Sequence, residues 1–195
     1  QNRIGALEHA SALVFQRFAL LPWATVRDNI AFGLMLNGMS KSERHAIADD
    51  LAATVGLSGF EDARPAQLSG GMQQRVGLAR ALAVKPKVLL MDEPFGALDE
   101  QTKRVMQDVL LRIWERERTT VLFVTHSIDE AILLADRVVV MSPRPGRIHR
   151  VVDVPLARPR TRASEADPAF VQLKSELWDE LLSLGAGAVE EERAS

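Results

Sequence analysis

The run Val88-Leu-Leu-Met91, closed by Asp92-Glu93-Pro94, constrains this chain more than any other stretch. A short continuous apolar run bounded by an acidic pair and a proline reads as a strand buried on both faces, the habit of a parallel sheet. Thr120 to Val124 repeats the pattern and ends at Thr125-His126-Ser127, and Arg137 to Met141 repeats it again. Between these runs, Glu100 to Arg118 and Ile128 to Ala135 read as helices; Val105, Val109, Ile113 and Trp114 carry the apolar stripe of the first. The β-α-β-α-β order predicts an α/β fold with a parallel sheet and right-handed crossovers. Ligands of such sheets bind beyond the carboxyl ends of the strands, which is where Asp92, Glu93 and His126 fall. After the turn Ser142 to Gly146, Ile148 to Val154 reads as a more exposed edge strand.

The stretch from about Thr25 to Leu82 offers helical patterns and little strand. Ser40-x-x-Glu43 is a capping-box match that opens a helix running to about Val55. Ser69-Gly70-Gly71 precedes another helix, with Met72, Val76, Ala79 and Leu82 on one side. Past Val154, Pro155, Pro159 and Pro168 among arginines mark a linker; Phe170 to Leu184 reads as an amphipathic helix and Gly185 to Ser195 as a solvated tail.

Composition closes off several classes. The 195 residues are 47% hydrophobic, enough to build a core, and the formal net charge of −2 gives no hint of the basic face expected of a nucleic-acid binder. Cysteine is absent, which excludes disulfides and thiolate metal sites. No apolar run approaches the roughly 18 residues that a membrane-spanning helix needs.

Two segments carry chemistry. A carboxylate at the end of a buried strand, Asp92, can hold Mg²⁺ in a phosphoryl-transfer site, and the adjacent Glu93 can accept a proton from an attacking water. Taken alone, the same residues suit a strand closed by an acidic turn. In Leu68-Ser-Gly-Gly-Met-Gln-Gln-Arg75, two glycines let the backbone approach an anion, and the following helix aims its free N–H groups at the same spot. Taken alone, that is also an ordinary serine cap.

Together the motifs resemble the nucleotide-binding subunits of ABC transporters. Leu68 to Arg75 is similar to the ABC signature, Val88 to Glu93 to a Walker B strand, and Gly96-Ala-Leu-Asp99 to the D-loop. His126 matches the switch histidine, and Val14-Phe-Gln16 resembles the start of the Q-loop. The resemblance implies a P-loop NTPase-like parallel sheet with flanking helices plus an α-helical signature subdomain. It implies ATP and Mg²⁺ as cofactors, with Asp92 and Gln16 at the metal, Glu93 polarising water, and His126 on the γ-phosphate. Ser69, Gly70, Gly71, Gln73 and Asp99 would meet ATP held by the opposite subunit of a homodimer. Leu20-Leu-Pro-Trp23 and the following residues to Gly33 are similar to importers of nitrate, sulfonates and taurine. That likeness implies transmembrane permease subunits as partners, an indirect link to a substrate-binding protein, and a peripheral place on the cytoplasmic face of the membrane. No nucleic-acid partner is expected.

The phosphate-binding G-x-x-x-x-G-K-[ST] loop does not occur in the sequence. Gly33 to Ser40 has its spacing, but Met39 stands where the lysine belongs. The family places that loop upstream of Gln16, so the chain is expected to be an incomplete sequence lacking the N-terminal portion of the fold, and inactive as given. The alternative is a non-catalytic remnant or binding partner that keeps the signature face; the presence of Asp92, Glu93 and His126 weighs against it, since none is needed to pack a fold. The expected domains are a partial ATPase domain over 1–155, with a helical subdomain at about 25–83 and the sheet core at about 84–155, then a linker and helix over 156–184 and a flexible tail over 185–195.

Overall fold

A computed structural model of the chain describes residues 11–14 and 19–194, and side chains as far as residue 185. The chain divides into two compact units, Gln1–Val124 and Thr125–Ser195. In the first, β1 (Ser11–Val14), β2 (Val88–Asp92) and β3 (Thr120–Val124) form a parallel sheet in the order β1-β2-β3. The register sets Ala12, Leu89 and Val121 in one row, and Val14, Met91 and Phe123 in another. Side chains alternate along a strand, so these rows share a face, on which Val14, Leu89 and Met91 are buried.

The opposite face carries Leu13, Leu90 and Leu122, of which Leu13 and Leu122 are 43% and 59% exposed. Strands covered on both faces are the sequence expectation; among the described residues only one face is covered. An apolar run looks the same in sequence whether or not anything lies over its second face.

Between β1 and β2 the described chain is helical. Thr25 caps α1 (Val26–Leu36), its Oγ1 accepting from the Asp28 N–H at 3.1 Å. Ahead of α2 (Lys41–Thr54) the expected capping box forms: Ser40 Oγ accepts from the Glu43 N–H at 3.4 Å and Glu43 Oε2 from the Ser40 N–H at 3.3 Å. Ser69 caps α3 (Gly70–Ala83). Ile30, Ala48, Ala52, Val76, Leu78 and Ala79 are fully buried in this unit, the small alanines allowing helices to approach closely. Asp99 caps α4 (Glu100–Glu117), which ends on Arg118 in the left-handed region with its guanidinium over the Trp114 ring.

In the second unit, β4 (Arg137–Met141) pairs antiparallel with β5 (Ile148–Asp153), Val139 lying opposite Val151. The sequence predicts residues 137–141 as a third strand of the parallel sheet; instead they form a two-stranded sheet with β5. The short turn between β4 and β5 explains the antiparallel pairing, since it cannot make a parallel crossover. β5 is exposed, as expected of an edge. The helix α5 (Ile128–Leu134) is followed by α6 (Pro168–Ala194), which buries Phe170, Leu173 and Leu177. It runs past the expected end at Leu184 because alanines and glutamates in residues 186–194 favour helix strongly enough to absorb Gly185 and Gly187.

Candidate functional site

At the carboxyl end of β2 the chain makes an abrupt turn. Asp92 is the last strand residue and exposed, and the next residue, Glu93, sits at φ 44°. Left-handed backbone costs a non-glycine residue on the order of 1 kcal/mol, so the turn must be held by its surroundings. Two anchors do this. The Glu93 N–H donates to the Val124 carbonyl at 2.9 Å, and buried Phe95 packs its ring against Phe123 at 5.5 Å between centroids. Glu93 is thus lifted off the strand while its backbone stays pinned to β3.

From there the N–H of Gly96 donates to the Glu93 carbonyl and that of Leu98 to the Phe95 carbonyl, which delivers Asp99 to the start of α4. Asp99 Oδ1 accepts from the Thr102 N–H at 2.9 Å and Oδ2 from the Thr102 hydroxyl at 2.6 Å. These bonds hold the Asp99 carboxyl below the usual carboxylate range, the Thr102 hydroxyl being the largest cause.

The start of α3 is built alike. Ser69 Oγ accepts from the Met72 N–H at 3.3 Å, and Gly70 is exposed. Gly71, by contrast, is buried against Thr102 of α4. The Gln73 side chain turns back, its Nε2 donating to the carbonyls of Pro65 at 3.0 Å and Leu68 at 3.3 Å, and so braces the loop in front of the helix. Gln74 is 1% exposed and its Nε2 finds no partner among the described residues.

Gln16 lies outside the described residues. Just beyond it, Ala19 has φ 42° and its carbonyl accepts from Arg80 of α3 at 2.8 Å. Asn29, fully buried, ties down the loop Leu21–Thr25 through its side-chain amide. On that loop Trp23 is 72% exposed, at the edge of a cleft of about 170 Å³ lined also by Leu21, Phe32 and Met35, with Asp28 and Arg44 at its margin. Asn29 and Arg80 escape sequence reasoning, because each acts on backbone through a fold-dependent contact.

His126, in the second unit, is exposed. It does not cap the next helix: Ser127 does, accepting from the Glu130 N–H at 3.3 Å, while the Thr125 hydroxyl donates to Glu130 Oε2 at 2.6 Å.

Among the described residues no cluster of three or more His, Asp or Glu side chains could hold a metal alone. A single exposed carboxylate such as Asp92 suits Mg²⁺, which keeps waters and shares substrate phosphates with one or two protein carboxylates.

The family model described as ABC transporter matches residues 1–96. A taurine import ATP-binding protein of Pseudomonas syringae pv. tomato is 46% identical over 180 residues, covering 90% of this chain and 69% of that protein. A nitrate import ATP-binding protein of Synechocystis sp. is 47% identical over 186 residues, covering 92% of this chain and 68% of its own length. Two further relatives, 58% and 52% identical, are spanned over 57% and 64% of their length, less than two thirds. Among solved structures, a dimeric ATP-binding cassette bound to ADP and Pi superposes with a TM-score of 0.64 at 33% identity, over 77% of this chain and 65% of that one. On these relationships and the motifs above, the chain belongs to the ATP-binding proteins of ABC transporters.

Proposed function

We propose that this chain belongs to the ATPase subunit that drives import of a small solute of the nitrate, sulfonate or taurine kind. The observation that carries the reading is the Asp92–Glu93 step, where a carboxylate on the last strand residue is followed by one raised on a pinned left-handed turn. In this reading Asp92, with Gln16, holds Mg²⁺, which when bound neutralises charge on the nucleotide phosphates. Glu93 accepts the proton of the water that attacks the γ-phosphorus, and His126 donates to a γ-phosphate oxygen. Ser69, Gly70, Gly71, Gln73 and Asp99 face ATP held by a second copy, so two copies close head-to-tail over two nucleotides. Because the Pro65 and Leu68 carbonyls brace Gln73, that side chain shapes the loop as much as it touches ligand.

The exposed Trp23 cleft, apolar with Asp28 and Arg44 at its margin, receives a membrane-spanning permease subunit. Through that subunit the ATPase sits on the cytoplasmic face of the membrane and answers to a substrate-binding protein. The ATPase domain extends to about residue 155, with the segment 156–195, which holds α6, appended.

The test is Glu93→Gln in the full-length protein assembled with its permease. ATP binding is expected to persist while turnover falls about 100-fold or more, the range for loss of a general base. Turnover within about twofold of wild type would overturn the assignment of Glu93.

A further inference from the structure

The second glycine of the Ser69-Gly70-Gly71 lead is required by a side chain of this same chain. Gly71 is the second residue of α3 and its backbone lies outside the left-handed region, so conformation does not demand glycine there. Space does. A Cβ on Gly71 would run into Thr102 Cγ2, whereas the Cβ and Oγ1 of Thr102 would stand at 3.6 and 3.8 Å, ordinary contact distances. One methyl group therefore fills the notch that Gly71 leaves.

The rest of Thr102 is also engaged. Its N–H and hydroxyl both bond the Asp99 carboxylate, at 2.9 and 2.6 Å. Every functional group of this side chain thus touches one of two segments that are far apart in sequence: the start of α3 through the methyl, and the turn that ends at Asp99 through the hydroxyl. Thr102 itself is half-buried behind them.

We propose that Thr102 is a positioning residue that sets the spacing between the Ser69–Gly70 lead of α3 and Asp99 at the start of α4. The inference rests on the reading above, in which those two segments act together on a nucleotide held by a second copy. The two helix starts then move as one piece, and the distance between them is fixed by a methyl seated on a glycine. Because a misplacement of about 1 Å in a reacting assembly can cost about 100-fold in rate, the contact bears on turnover as well as on stability.

The experiment is a rescue series in the full-length protein assembled with its permease: Gly71→Ala, Thr102→Ser, the double variant, and Gly71→Ala with Thr102→Val. Serine keeps the hydroxyl bonded to Asp99 and removes the methyl; valine keeps a methyl over position 71. Gly71→Ala alone is expected to lower ATP turnover about 10- to 100-fold and to lower the melting temperature. Adding Thr102→Ser should return turnover to within about threefold of wild type and restore the melting temperature, because couplings of this kind belong to residues in contact. Adding Thr102→Val should restore neither. Gly71→Ala behaving as wild type, rescue by valine as well as serine, or a folded double variant that stays impaired would each overturn the proposal. If the wild-type assembly hydrolyses no ATP, the proposed function falls, while recovery or non-recovery of the melting temperature still decides whether the Thr102 methyl fills the Gly71 notch.

Discussion

Asn29 and Leu21 form a closed amide pair: Asn29 Oδ1 accepts from the Leu21 N–H at 2.8 Å while Asn29 Nδ2 donates to the Leu21 carbonyl at 3.1 Å. The same Nδ2 is within reach of the carbonyls of Ala24 and Thr25, at 3.2 and 2.9 Å. One buried side chain thus does for the loop what a neighbouring strand would do for an edge. It leaves Trp23 exposed on a backbone tied down on both sides.

Asn29→Leu keeps the volume and removes every one of these bonds. The Leu21 and Thr25 carbonyls keep backbone donors from Ala24 and Asn29, but the Leu21 N–H and the Ala24 carbonyl lose the Asn29 side chain; at about 1–3 kcal/mol for each group, a loss of about 2–4 kcal/mol is expected in denaturant unfolding. Amide exchange at Leu21 should also accelerate. A stability change under about 0.5 kcal/mol would mean that the loop is held by something other than Asn29.

Asp99 supplies a pH prediction. Its carboxyl is held below the ordinary range by the Thr102 hydroxyl and, next, by the Thr102 N–H. A depressed folded-state pKa means that the ionised form is favoured in the native state. The stabilisation is then complete above the unfolded value of about 3.9 and disappears as pH falls through the lower folded value. An NMR titration of the side-chain carboxyl carbon should place the Asp99 midpoint below that of a free aspartate, and Thr102→Val should move it upward. A midpoint at or above the free value would refute the assignment.

Much of this arrangement is legible in the sequence where a short-range pattern specifies it. The Ser40 and Glu43 capping box, the strand ending at Asp92 and the helix running from Glu100 each depend on residues within a few positions of one another. The misses share the opposite character. Arg137 to Met141 is strand in either sheet, and only the hairpin register with Ile148 to Asp153 says which. Ser69-Gly70-Gly71 reads as an opening for a ligand, yet the neighbour that makes glycine necessary at position 71 is Thr102, thirty-one positions away by number. Asn29 likewise looks like one more polar helix residue until the Leu21 loop folds back over it. Sequence spacing reports periodicity and caps; it does not report which backbone a buried side chain will meet.

Arg160 makes the same point in the second unit, where Arg158-Pro159-Arg160 reads as linker. Arg160 is 3% exposed. Its Nη1 donates to the carbonyls of Ile132 at 3.1 Å and Ala135 at 2.5 Å, and its Nε and Nη2 both donate to the Leu156 carbonyl, at 3.3 and 3.0 Å. Arg158 adds a bond to the Leu134 carbonyl at 2.8 Å and an ion pair with Asp136 at 2.9 Å. The carbonyls at the end of α5 have no intrahelical donors and carry the negative end of the helix dipole, so a cation there is favoured twice over. Arg160→Met fills the volume and strips those donors, and should cost about 2–4 kcal/mol, as for leaving buried carbonyls without donors. Arg160→Lys should be intermediate, since an ammonium keeps the charge but cannot spread donors across Ile132, Ala135 and Leu156 at once. Arg158, on the more open side of the same helix end, should give the smaller loss when changed to glutamine. Thermal unfolding followed by a probe in α5 orders the three variants. Equal losses for methionine and lysine at position 160 would mean that the geometry of the guanidinium, and not its charge, is what holds the helix end; equal losses at 158 and 160 would contradict the burial difference on which the ranking rests.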